Sequence, residues 1–235
     1  MIRQGINKII TLYHGSQEII ETPRFGLGKK NNDFGQGFYC TESEELAKEW
    51  ATSAGRDGYA NRYLVDAEYL RILNLNSPEY TVLNWIAVLI EHRLFTPSTP
   101  VESQARNYLI RNFSVNVNAY DIVTGYRADD SYYDFAAAFL SNTISIEQLA
   151  SAMRLGKLGE QIVIKSKAAF ASICYDGCIN APADIYFKNR ETREKEASDS
   201  YLNMLSEESD GLYIRDIMRG KIGNDDPRIP RNICE

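Results

Sequence analysis

Two short blocks near the N-terminus hold the residues best suited to chemistry. They are Leu12-Tyr13-His14-Gly15-Ser16 and Asp33-Phe34-Gly35-Gln36-Gly37-Phe38-Tyr39. Each joins glycine, which lets a backbone approach a ligand closely, to a side chain able to hold a nucleotide. His14 can donate to a sugar hydroxyl, and Tyr39 presents a flat π face to an aromatic ring. The chain has only two histidines, His14 and His92. A second ring, Trp50, follows Tyr39 by eleven residues. Taken singly, each has a plainer reading: His14 as a structural histidine, Trp50 as core, the Gly-x-Gly as a turn. Their order and spacing favour a ligand site.

The candidate acids lie far along the chain. Glu160-Gln161-Ile162-Val163-Ile164 reads as a strand, and alternation puts Glu160, Ile162 and Ile164 on one face and Gln161, Val163 and Lys165 on the other. If Gln161 faces the site instead, the charge must come from Asp129 or Asp130, in the loop after the 120–125 strand. Arg93, near a helix end, can bind phosphate, with a cation placed at a helix C-terminus as the default account.

Several elements must position these groups. A β-branched run, residues 9–13, reads as a strand stopping at a His14-Gly15-Ser16 turn. Residues 24–33 read as a mobile loop, and residues 37–40 as a short strand. Thr41 with Glu44 forms a capping box for a helix whose face carries Leu46, Ala47, Trp50 and Ala51. Further strands are expected at 62–66, 72–75, 120–125 and 161–164. Further helices are expected at 80–94, 101–112, 132–140, 145–155 and 166–173, and Cys174 and Cys178, four apart, read as a buried pair of small hydrophobes that could share a helix face rather than as a redox couple. Residues 189–208, dense in charge, read as part of a helical appendage packing on the main domain, or else an extended partner-binding tail, with the 191–196 run as a solvated helix face; Pro227 and Pro230 mark a frayed end.

The 235 residues suffice for one core plus an appendage, and a net charge of −6 with a pI near 5.2 argues against broad nucleic-acid binding. The longest apolar stretch, 85–90, is far below the ~18 residues of a membrane helix. Cys40, Cys174, Cys178 and Cys234 lack the paired spacing of a zinc site. No metal, free thiols and a cytoplasmic location are expected.

The two blocks resemble the ADP-ribosyltransferase superfamily in its His-Tyr-Glu branch, which includes diphtheria toxin and the poly-ADP-ribose polymerases. The resemblance rests on His14-Gly15-Ser16, Gly35-Gln36-Gly37-Phe38-Tyr39 and Trp50, with tryptophan in place of the usual second tyrosine. The 160–164 strand is similar to the Glu-Tyr-Ile-Val-Tyr strand of the polymerases. More closely, residues 10–173 resemble a bacterial family known as a domain of unknown function, whose members often sit beside a small antitoxin-like partner. That likeness adds Tyr120-Asp121-Ile122-Val123, Ala128-Asp129-Asp130 and Gln161-Ile162-Val163-Ile164.

The resemblance implies an α+β fold, two small antiparallel sheets around an NAD cleft. Residues 1–177 would form this domain, and residues 178–235 a helical extension packed on it. It implies mono-ADP-ribosyl transfer from NAD to a protein or nucleic acid, by the toxin of a toxin–antitoxin pair. NAD glycohydrolysis, or NAD binding without turnover, are the alternatives.

In that scheme His14, Tyr39 and Glu160 are catalytic. Gly15, Ser16, Gly37, Phe38, Trp50 and Gln161 join His14 and Tyr39 around NAD, and Tyr39 and Trp50 sandwich the nicotinamide. A carboxylate at ~4 Å from the ribosyl cation, at an effective dielectric of ~20, contributes roughly 4 kcal/mol. That is on the order of a thousandfold in rate, so this residue separates an enzyme from a passive binder.

Overall fold

The computed structural model describes residues 8–128, 130–153, 159–206 and 209–231. The strands in chain order are β1 (Ile9–Ser16), β2 (Phe38–Cys40), β3 (Gly58–Asp66), β4 (Ile72–Asn74), β5 (Ile122–Tyr126), β6 (Glu160–Ile164) and β7 (Ile173–Ala181). The helices are α1 (Glu44–Ala51), α2 (Val82–His92), α3 (Pro100–Phe113), α4 (Asp130–Leu140), α5 (Ile146–Ala152), α6 (Lys167–Ala171), α7 (Ala183–Leu205) and α8 (Ile214–Gly220). The architecture is α+β. One antiparallel sheet has the order β1-β3-β7. The other has the order β2-β6-β5-β4, antiparallel except where β4 runs parallel to β5.

Apolar side chains from the two sheets meet in a small cluster of Leu12, Val65, Ile122, Ile162 and Ile164, with Phe38 packed against it. A larger cluster surrounds α2, whose residues 82–90 are all buried. A helix buried on every side needs apolar residues all round, and this one has them. Trp85 lies at its centre, fully buried, and donates its indole N–H to the Tyr126 carbonyl at 3.1 Å.

The sheets are joined beside His14. Tyr13 and Thr41 exchange two backbone hydrogen bonds, at 2.8 and 2.9 Å, so β1 is stitched to the end of β2. Thr41 is therefore not the helix cap. Ser43 caps α1 instead, accepting from the Leu46 N–H, and Lys48 binds Glu44 and Glu45 in its first turn. Nor does β1 stop before His14: it runs through Ser16, paired with β3 along its whole length.

The C-terminal third departs most from expectation. Cys174 and Cys178 sit exposed on β7, not on a helix, and α6 ends at Ala171. β7 runs through residue 177 as the edge strand beside β3, so the helical part begins at Ala183. The segment near Pro230 is tied in rather than frayed: its carbonyl accepts from the Val82 N–H at 3.4 Å, and Ile229 is buried.

Gly37 serves this packing. A Cβ there would collide with Val163 Cγ1 and lie 2.9 Å from the Ile164 carbonyl, because β2 presses flat onto β6. Gly37→Ala is expected to lose about 1–3 kcal/mol in urea unfolding. Gly223→Ala, where a Cβ would meet nothing within 4 Å, should leave the midpoint unchanged.

Candidate functional site

A cleft of about 580 Å³ opens where β1, β2 and α1 face the ends of β5 and β6. That is the size of a small-molecule site, which spans roughly 300–1,000 Å³. One wall carries His14, Gly15, Tyr39 and Trp50. The floor carries Asn32, Asp33, Arg93, Ala128 and Gln161, and the far side Arg127, Arg190 and Glu194.

His14 Nδ1 lies 2.7 Å from the Tyr39 carbonyl, which can only accept, so Nδ1 bears the proton. Burial holds its pKa below the ordinary value, and at neutral pH the ring is neutral. Nε2 is then an acceptor. The sequence expectation that His14 donates to a sugar hydroxyl is corrected: in this tautomer Nε2 can only accept a hydrogen bond from such a hydroxyl. The ring is held from behind by Phe38, with centroids 4.3 Å apart.

The Tyr39 hydroxyl donates to the Gly35 carbonyl at 2.7 Å and accepts from the Phe34 N–H at 3.0 Å. Burial raises its pKa well above the usual phenol value. Both hydrogen bonds go to its own loop, so Tyr39 offers the cleft a ring face rather than a proton. Lys165 fastens the same loop by donating to the Phe34 and Gln36 carbonyls, and burial lowers it to about 8. Gly35 adopts φ +75° with the His92 ring 3.0 Å from where a Cβ would be, so glycine is required there on both counts.

Gly15 is tight against helix rather than ligand. A Cβ would overlap the Ala47 carbonyl and lie 2.9 Å from Trp50 Cβ, so this glycine lets α1 settle on β1 and carry Trp50 to the cleft. The Arg127 guanidinium lies over the Trp50 ring at 4.7 Å from its centroid. The Trp50 indole N–H is buried and has no hydrogen-bond partner.

Asp33 organises the floor. It is 3% exposed, receives Arg93 Nε at 2.6 Å on one oxygen, and takes the Ala128 N–H at 2.9 Å and Gln161 Nε2 at 2.7 Å on the other. Arg93 also donates to the Ala128 carbonyl at 2.6 Å. Arg93 is thus the counter-ion of Asp33, which neither of its sequence readings anticipated.

The structure brings together His14, Gly15, Tyr39, Trp50 and Gln161. It does not bring Ser16, Gly37, Phe38 or Glu160 to the cleft lining. The Ser16 hydroxyl accepts from the Glu18 N–H, and Phe38 packs between the sheets. Glu160 turns away from the cleft and accepts from Asn76 Nδ2 at 2.7 Å. Alternation along β6 is as read, with Ile162 and Ile164 in the inter-sheet cluster and Val163 in the α2 core. The cleft lies on the Gln161 face. Asp129 lies outside the described residues, as does the side chain of Asp130, which opens α4 just after the cleft-lining Ala128.

Sequence reasoning missed Arg127, Arg190 and Glu194. Arg127 stands beside the Ala128-Asp129-Asp130 element, a usable signal. Arg190 and Glu194 belong to the charge-dense 189–208 segment, where Glu194 fell in the run read as a solvated face, and nothing local marks either. Among the described residues no group of three or more His, Cys, Asp or Glu is placed to hold a metal, and no helix is long and apolar enough to cross a membrane.

Two outcomes follow from these buried groups. Asp33→Asn removes the buried carboxylate that Arg93, the Ala128 N–H and Gln161 share, and should cost about 3–5 kcal/mol in urea unfolding. Because burial lowers the His14 pKa, the unfolded chain binds that proton first. Stability is therefore full above about pH 6.5 and falls as the pH drops through the lower folded-state value. His14→Gln should show a shallower fall than wild type over that range, with the remainder owed to His92, also lowered by burial.

No curated protein and no solved structure matches the chain. Residues 10–175 match the family described as protein of unknown function DUF3990. The match covers most of the chain and ends within β7, and the protein belongs to that family.

Proposed function

We propose that the protein is a mono-ADP-ribosyltransferase that takes ADP-ribose from NAD and passes it to a macromolecular acceptor, as the toxin of a cytoplasmic toxin–antitoxin pair. The observation that carries this reading is the meeting of His14, Gly15, Tyr39 and Trp50 in one cleft, contributed by three separate elements. Neutral His14 accepts from a ribose hydroxyl through Nε2. Tyr39 and Trp50 supply the two faces for the nicotinamide, with Arg127 leaving the Trp50 ring as it enters.

In the reaction the bond from ribose C1′ to the nicotinamide nitrogen breaks. The bonding pair leaves with neutral nicotinamide, and positive charge builds on the ribose. An acceptor nucleophile then bonds to C1′ and loses its proton to solvent or a base. Where water is the acceptor the outcome is NAD glycohydrolysis.

A second reading, NAD binding without turnover, is favoured by one observation: Gln161 stands in the cleft while Glu160 is bonded to Asn76. The enzyme reading then draws its carboxylate from Asp129 or Asp130, which follow Ala128 in sequence, rather than from Glu160.

Incubating the protein with NAD labelled in the adenylate and with cell lysate tests all three. Transfer is expected to label a macromolecule and release nicotinamide. Free ADP-ribose alone would support the glycohydrolase. NAD binding with no nicotinamide released would support the passive module. Glu160→Gln should keep nicotinamide release, while Asp129→Asn or Asp130→Asn lowers it on the order of a thousandfold.

A further inference from the structure

α7 lies beyond the family match, which ends at residue 175, yet it reaches into the cleft. It is fixed to α1 along one seam. Arg193 pairs with the buried Glu49, and Lys48 lies over the Tyr186 ring at 5.2 Å. The Ala183 N–H donates to Asp57 at 2.8 Å. These contacts place Arg190 on the cleft wall. Its Nη1 donates to the Thr52 carbonyl at 3.2 Å, just past the C-terminus of α1, and its Nε is buried with no hydrogen-bond partner. Glu194 Oε1 stands 3.5 Å from that Nε, an ion pair without a hydrogen bond.

Arg127 belongs to the same corner. It covers the Trp50 ring, two residues before Thr52, and Glu49 lies within electrostatic reach of Arg127, Arg190 and Arg193 alike. Of the three cleft guanidiniums, Arg93 is committed to Asp33 and Ala128. Arg127, over the Trp50 ring, and Arg190, held by the Thr52 carbonyl, Glu194 and the Phe187 ring, also line the cleft, on a chain whose net charge is −6. Such a pair binds best an anion with two charges and several acceptor oxygens, since each guanidinium can bond two oxygens at once.

We propose that Arg190, supplied by the C-terminal helix, and Arg127 form a subsite for the diphosphate of a dinucleotide, so that α7 is part of the substrate site rather than an appendage. The proposal rests on the NAD reading above. His14 and the two rings take the sugar and base on one wall. The diphosphate spans to the other, satisfying the buried Arg190 Nε and drawing Arg127 off Trp50.

Full-length protein titrated with ADP-ribose and with adenosine, by calorimetry at low salt, tests it. In wild type ADP-ribose is expected to bind more tightly than adenosine, with a gap that narrows as salt rises. Arg190→Gln should weaken ADP-ribose about ten- to a hundredfold and leave adenosine unchanged, and Arg190→Lys should recover part of the loss. Equal weakening of both ligands, no weakening of ADP-ribose, or no recovery by lysine would overturn the subsite while the NAD reading stands. Wild-type protein that binds neither ADP-ribose, adenosine nor NAD would overturn the NAD reading itself, and the subsite with it.

Discussion

The rest of the site depends on one buried carboxylate. Asp33 is out of water, and an ion so placed is tolerated only with a counter-charge and with donors for its remaining lone pairs. It has both, and each comes from a different part of the chain. Arg93 arrives from the end of α2, the Ala128 N–H from the segment after β5, and Gln161 from β6. Moving any of these segments would strand a charge or a donor. The position of the 33–39 loop relative to the second sheet is therefore set by electrostatics as much as by apolar packing. Gln161 plays a defined part in this. Its amide also donates to the Tyr126 carbonyl at 3.0 Å, tying Asp33 to β5. A glutamate there would set a second carboxylate against Asp33, and the floor could not close.

The seam between the sheets sets the opposite wall. Two backbone bonds between Tyr13 and Thr41, and the bond from His14 to the Tyr39 carbonyl, hold β1 against β2. One consequence is chemical. The carbonyl fixes the proton on Nδ1, so the same contact that joins the sheets decides that Nε2 accepts. A second consequence is geometric. Gly15 follows directly and lets α1 lie on β1, which brings Trp50 to the cleft. Sheet joining, tautomer and ring placement are one construction.

Legibility in the sequence follows contact range. Of the two N-terminal blocks, the second is the more local unit. Residues 33–39 fasten themselves through the Tyr39 hydroxyl and Gly35, so the pattern that marks the loop is also what holds it. The helices and strands mostly fell where periodicity put them. Errors came at ends, where a tertiary partner decides, as with Thr41 drawn into the inter-sheet bridge.

Glu160 and Gln161 could not be separated by alternation alone. Both faces of β6 carry apolar residues into a core, so the pattern does not say which face meets the cleft. Arg190 and Glu194 were illegible for a different reason. Their place in the cleft exists only because α7 docks on α1 from more than a hundred residues away, and an i, i+4 charge pair on a helix looks the same when solvated.

The charge arrangement bears on what the cleft can hold. Asp33 and Arg93 cancel within the floor, leaving it polar and rigid without net charge. Beyond them, Arg127 and Arg190 are opposed by Glu194 and by Glu49, which Arg193 already neutralises. Among the described residues the far wall carries two arginines and one glutamate, set against the neutral ring of His14 and the aromatic rings of Tyr39 and Trp50. On the dinucleotide reading proposed above, sugar and base take the aromatic end and the diphosphate the arginine end. That arginine end comes jointly from the domain matched by the family and from a helix outside it, while the recognisable motifs all lie elsewhere.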